Sequence, residues 1–149
     1  MTRIVSATPA DLDALAPLFD AYRRFYGQPA DLARARAWLD ARMQANESVV
    51  LLARGDAGAA VGFVQLYPMF SSVRTARMWV LNDLYVDAAA RRGGVARALL
   101  DAAVAFARED GAARIVLETG RDNAAARALY RSAGWSEDDT QWYAVTLAP

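Results

Sequence analysis

Between residues 76 and 118 the chain reads as a strand, a glycine turn, an amphipathic helix and a second strand. That order constrains the fold more than any other feature. Ala76 to Val86 is a run of branched and aromatic residues of strand character. From about Gly94 to Glu109, Val95, Leu99, Ala102, Ala103 and Phe106 recur at helical spacing and predict one buried stripe. Gly111 stops this helix, and Arg114 to Glu118 resumes a strand. Two strands joined through a helix pair in parallel with a right-handed crossover, which excludes all-helical and purely antiparallel folds.

The flanking segments extend this unit. Arg3 to Val5 is a short strand. Thr8-Pro9 and Asp11 then open a helix whose apolar positions Leu12, Leu15, Phe19, Tyr22 and Tyr26 lie on one face. Gly27-Gln28-Pro29 breaks it, and a second helix is expected from Asp31 to Gln44. Ser48 to Ala53 and Ala60 to Tyr67 flank the turn at 54–58 and predict a hairpin, with Pro68 closing the second strand. Asn123 to Ser132 reads as a helix with Gly134 beyond its end, and Gln141 to Leu147 as a last strand, with a short extra strand near Trp135. The expectation is an α/β chain with a mixed sheet (α+β in its antiparallel part) and about four helices, in one domain over residues 1–149.

Seventeen arginines balance seventeen acidic residues, and the chain contains no Cys, His or Lys. Zero formal charge argues against bulk attraction to nucleic acid or an anionic membrane. With 55% hydrophobic residues the chain can bury a core, yet no apolar run is long enough to span a bilayer. A soluble, cytoplasmic protein is expected. Catalysis by Cys–His or Ser–His–Asp groups, by a lysine Schiff base or by a Cys/His-bound metal lacks a required residue, and no acidic cluster suggests an oxygen-ligated one. Carboxylates, phenols, arginine and backbone amides remain.

Two segments carry those groups. In the first, the strand ending at Leu84-Tyr85-Val86 turns through Arg91-Arg92-Gly93-Gly94 into a helix opening Val95-Ala96-Arg97. Unpaired N–H groups and the positive end of the helix dipole make such a start an anion site, and glycine lets oxygens approach the backbone. Arg91, Arg92 and Arg97 can add charge-assisted hydrogen bonds. An ordinary strand–turn–helix connection with a surface rich in arginine would read the same way. In the second segment Asn123 caps a helix thinned by alanines, among them Ala126, and Tyr130 lies about two turns on, before Gly134-Trp135. A half-buried core tyrosine is the plain alternative there.

Together the two segments resemble the GNAT family of N-acetyltransferases. Its cofactor signature, Gln/Arg-x-x-Gly-x-Gly/Ala, is matched by Arg91, Gly94 and Ala96. Its later signature is matched by Asn123, Ala126, Leu129-Tyr130 and Gly134-Trp135. The likeness covers most of the chain and is sharpest over residues 80–135. It implies the acyl-CoA N-acyltransferase fold, with parallel strands that splay apart, and acetyl-CoA as co-substrate. The resemblance places the pyrophosphate on the amides of Arg92, Gly93, Gly94, Val95, Ala96 and Arg97, and the pantetheine arm along Leu84, Tyr85 and Val86. Asn123 and its neighbours would line the arm's other side, with Tyr130 as general acid to the leaving thiolate. The acceptor would be a small-molecule amine such as a polyamine, an amino acid or an aminoglycoside-like compound. A peptide amine, or acyl-CoA sensing without catalysis, is the alternative, and a homodimer is expected from the family.

The base is ambiguous in the sequence. An acidic pair precedes the Leu-Phe/Tyr-Val run in polyamine-type members, whereas this chain has Asn82-Asp83. Asn82 is no base, although it can orient water or substrate. Asp83 is the nearest carboxylate, but strict alternation points it away from the face of Asn82 unless a β-bulge intervenes. A water chain is the rival. Tyr22, Tyr26 and Tyr67 are the aromatic candidates for the acceptor pocket, with Glu118 as a further contact, while Trp38 reads as core.

Overall fold

The computed structural model describes residues 1–148, which form two compact units, Met1–Glu118 and a second from Thr119 onward. The first unit contains β1 (Arg3–Ser6), α1 (Leu12–Phe25), α2 (Leu32–Gln44), β2 (Val49–Arg54), β3 (Ala60–Ser71), β4 (Ala76–Val86), α3 (Val95–Glu109) and β5 (Arg114–Val116). The second contains α4 (Ala124–Ser132). Among the described residues the fold is α/β, with four α-helices and a five-stranded mixed sheet ordered β1-β2-β3-β4-β5. Four strands run as an antiparallel meander, and β4 pairs with β5 in parallel across the α3 crossover.

Local signals place the helices. Thr8 and Asp11 form a capping box over a single turn of 3-10 helix that leads into α1. The Asp31 side chain accepts from the Arg34 amide and starts α2. The buried Asp20 carboxylate accepts from the Asp31 amide at 2.8 Å and so fixes the entry into α2. Leu12, Leu15, Leu18 and Phe19 of α1, with Ala35 and Leu39 of α2, bury against Val50, Leu52 and Phe63 on one sheet face. Helix α3 covers the opposite face and buries Val95, Leu99, Leu100, Ala103 and Ala107. Leu100 and Ala107 join the expected stripe, while Ala102 and Phe106 are half-buried at its margin, Phe106 against Trp79, because the buried arc is wider than a single line of contacts.

Two strand expectations need correction. Pro68 does not end β3, which continues to Ser71 with Pro68 opposite Trp79. β2 pairs with β3 only as far as Leu66, so beyond that point β3 has one hydrogen-bonded neighbour. A residue without an N–H is tolerated on the free side of such a ribbon. The last strand, Gln141 to Leu147, does not form, nor does the short strand near Trp135. Among the described residues the segment joins no ladder, and Trp142, Tyr143, Val145 and Leu147 are exposed. Alternating apolar residues make a strand only where a partner edge takes up their backbone groups.

Gly62 is a close-approach position. A Cβ there would meet the Tyr85 carbonyl oxygen at 2.8 Å and the Leu99 and Val86 side chains at 3.3 Å. Glycine therefore lets β3, β4 and α3 close together beneath Tyr85. No helix among the described residues is long and apolar enough to cross a membrane.

Candidate active site

The deciding local feature is a bulge in β4. Gln65 of β3 pairs with Asp83, but the next residue, Leu66, pairs with Leu81, which leaves Asn82 as the extra residue. Without it Asp83 and Leu81 would share a face. With it, Leu81 keeps its apolar side chain in the core, while Asp83 lies with Phe63, Gln65 and Tyr85 on the face covered by α1. Asp83 is only 4% exposed and Gln65 fully buried.

Each carboxylate oxygen of Asp83 receives an amide donor. Gln65 Nε2 donates to Oδ2 at 2.6 Å and Asn82 Nδ2 to Oδ1 at 2.9 Å. Asn82 and Asp83 therefore come together, and the phase question left by strict alternation is answered by the bulge. Burial pushes the Asp83 carboxyl above the ordinary carboxylate range, opposed by the amide donors of Gln65 and Asn82 and by the nearby Tyr22 hydroxyl.

Phenols surround this acid. The Tyr22 hydroxyl donates to the Asn82 carbonyl at 3.3 Å, and its ring meets those of Phe19, Tyr26, Phe63 and Tyr85 with centroids 5.1–6.4 Å apart. Burial, then the Asp83 charge, raises the Tyr22 phenol far above its ordinary value, so it serves as a neutral donor. Tyr67 is half-buried and also raised, by burial first, although the Trp38 indole N–H hydrogen-bonds it and opposes the shift. Trp38 itself is 47% exposed, with the Arg42 guanidinium 4.4 Å over its ring. It belongs to the rim of this cluster, a correction to its reading as core, since its ring is half open to solvent on one face of α2.

The first unit also holds the strand-to-helix turn. Gly94 takes a left-handed φ of +79° and caps α3 without a side-chain bond, and Arg92 shares that region at +66°. The first intrahelical bond runs from the Ala98 amide to the Gly94 carbonyl, so the amides of Val95 and Ala96 precede the ladder. Arg91 turns back, donating from Nε to the Val86 carbonyl at 3.0 Å with its guanidinium 5.6 Å over Tyr85. Arg97 pairs with Asp101 one turn on. The β4–β5 ladder spans only Met78 to Val80 on β4, so Leu84, Tyr85 and Val86 lie beyond it.

In the second unit Asn123 caps α4, accepting from the Ala126 amide at 3.2 Å. Tyr130 and Trp135 stand with ring centroids 6.4 Å apart, and Gly134 takes φ +88° between them. Of the remaining candidates, Tyr26 is largely exposed beside Tyr22, and Glu118 is exposed past the end of β5. An open concavity of about 500 Å³ at the turn end of the β3–β4 ribbon is lined by Phe70, Ser71, Ser72, Thr75, Ala76 and Arg77, away from the Asp83 cluster.

Comparison with known proteins bears on this arrangement. The sequence model of the Acetyltransferase (GNAT) family matches residues 13–135. This chain belongs to the GNAT family. The GNAT chain is 46% identical over 135 residues to an uncharacterized N-acetyltransferase, YhfO, of Bacillus subtilis, covering 91% of this chain and 90% of that protein. A crystal structure of a probable acetyltransferase is 44% identical, with a TM-score of 0.94 over 99% of each chain. A ribosomal-protein-alanine N-acetyltransferase from Brucella melitensis is 26% identical, with a TM-score of 0.81 over 99% of this chain and 100% of its own. The protein is an acetyltransferase, and acetyl-CoA is its co-substrate.

Gln65 was not identifiable as a site residue from sequence. The one available signal is a glutamine in the apolar run Phe63-Val64-Gln65-Leu66, where a buried amide must find a partner.

Proposed function

We propose that this acetyltransferase moves the acetyl group of acetyl-CoA to a primary amine of a small molecule, with Asp83 accepting the amine's proton and Tyr130 acting as general acid. The observation that carries the reading is the bulge at Asn82, which turns a buried carboxylate toward a cluster of phenols. An alkyl ammonium has a pKa of about 10.4, so a base is needed before it can attack at neutral pH. A carboxyl raised by burial is a stronger base than one on the surface. The Tyr22 hydroxyl, bonded to the adjoining Asn82 carbonyl, sets the ring cluster beside this acid and remains neutral. The faces of Tyr22, Tyr26 and Tyr67 suit a cationic amine.

The bound co-substrate supplies an activated thioester. The amides from Arg92 to Arg97 at the start of α3 would hold its diphosphate, and the backbone of Leu84, Tyr85 and Val86 its extended arm. Arg91 supports this strand by donating to Val86. Asn123, Ala126 and Tyr130 carry over from the second family signature as cofactor-binding residues, Tyr130 also as the acid. A phenol of ordinary pKa near 10 suits protonation of a departing thiolate.

The test is CoA thiol release from acetyl-CoA across a panel of polyamines, amino acids, aminoglycosides and peptides with free amino termini. The reading predicts that a small primary amine supports the highest kcat/KM. Release stimulated only by peptides would overturn the substrate class.

A further inference from the structure

Gln65 is an unusual choice for its position. It is fully buried on β3, facing Asp83 across the bulge, and its Nε2 approaches Asp83 Oδ2 to 2.6 Å. Its other terminal atom, Oε1, is buried and has no hydrogen-bond partner among the described residues. While Asp83 is ionised the amide does not turn over, because a carbonyl oxygen facing a carboxylate oxygen would place two acceptors against each other. An apolar side chain of similar volume would fill the site without a stranded acceptor. Stability alone therefore does not account for glutamine here, whereas its bond to Asp83 does.

We infer that Gln65 is a positioning residue of this acetyltransferase, which with Asn82 clamps the two Asp83 oxygens and holds the carboxyl group in one orientation beneath Tyr22. The inference rests on the proposed role of Asp83 as base. Neighbouring titratable groups come from each element around the acid: Tyr22 and Tyr26 from α1, Tyr67 from β3 and Tyr85 from β4, with Arg42 of α2 acting on Tyr67. None supplies a second amide to Oδ2, so loss of Gln65 removes a bond that only the charged form accepts well.

The experiment follows the Asp83 side-chain carboxyl by 13C NMR titration in wild type and in Gln65→Met, alongside kcat/KM against pH. In Gln65→Met the carboxyl midpoint moves upward and the acidic limb of kcat/KM follows it. Activity on that limb falls about tenfold, the factor commonly attached to a hydrogen bond with a charged group. KM for acetyl-CoA stays within about twofold. In an Asp83→Asn background Gln65→Met adds less than about a twofold loss. If Gln65→Met does not fold, the shorter amide Gln65→Asn, which withdraws the donor from Oδ2 without adding a charge, is read by the same midpoint and rate profile. An unmoved midpoint, or an equal loss in the Asp83→Asn background, overturns the inference. A midpoint that moves while the rate profile stays put removes Asp83 as base, and with it any part for Gln65 in the reaction.

Discussion

Gly62→Ala puts one methyl where the structure has the least room. The new Cβ would lie 2.8 Å from the Tyr85 carbonyl oxygen, a backbone atom that cannot rotate away, and 3.3 Å from the Leu99 and Val86 side chains. To restore ordinary contact near 3.4 Å the strands must separate locally by about 0.6 Å. Gly62 pairs with Ala53 on one side and Val86 on the other, so β3 cannot yield without disturbing a ladder. Overpacking of this kind costs about 1–3 kcal/mol. For a chain of this size each kcal/mol lowers Tm by about 2–4 °C, so a fall of about 2–12 °C is expected by calorimetry. Moving the Tyr85 carbonyl also disturbs the stretch proposed to hold the acetyl-CoA arm, so KM for acetyl-CoA should rise more than KM for the amine. Gly55→Ala is the control, since its Cβ meets only the Val61 side chain closely, at 3.3 Å. A Gly62→Ala protein with wild-type Tm and unchanged KM for acetyl-CoA would refute the close-approach argument.

Three further outcomes are expected. Tyr130→Phe lowers kcat by about 10²–10⁴-fold, the range of general acid catalysis, while acetyl-CoA affinity by calorimetry is unchanged; unaltered turnover would remove Tyr130 from that role. Gly94→Val forces a branched residue to φ +79°, and acetyl-CoA binding is lost; normal binding would contradict the site at the start of α3. Asp83→Asn changes the pH dependence of stability. Because the folded carboxyl is raised, the native state binds more protons than the unfolded chain between the two pKa values, and Asp83 lowers stability as pH rises through that window. The Tm difference, variant minus wild type, should therefore become more positive from acidic to neutral pH, and a difference constant with pH would contradict the raised carboxyl.

Much of this was legible in the residues because it depends on local chemistry. Thr8, Asp31 and Asn123 announce their helices through side chains that accept the first free amides, and Gly94 and Gly134 mark positions with positive φ. The β4–α3–β5 crossover follows from period and punctuation alone. What was hidden depends on partners distant in sequence. Pro68 stays within a strand because β2 has already ended beside it, and Gln141–Leu147 forms none because no ladder takes it up. Trp38 reads as core until Tyr67 and Arg42 are seen at its rim. The bulge at Asn82 has no spacing signature of its own. It arises where Leu81 must face α3 and Asp83 must meet Gln65, a conflict visible only once β3 is laid beside β4.

The central claim is that Asp83, turned by that bulge, takes the proton from the acceptor amine. It is tested most directly by kcat/KM for a competent amine against pH in wild type and Asp83→Asn. The amine's own ionisation is common to both profiles, so their ratio isolates the enzyme group. The account predicts a profile that loses one ionisation in the variant, with activity reduced at neutral pH and partly recovered as rising pH deprotonates the amine in solution. Superimposable profiles would contradict it and leave proton removal to water.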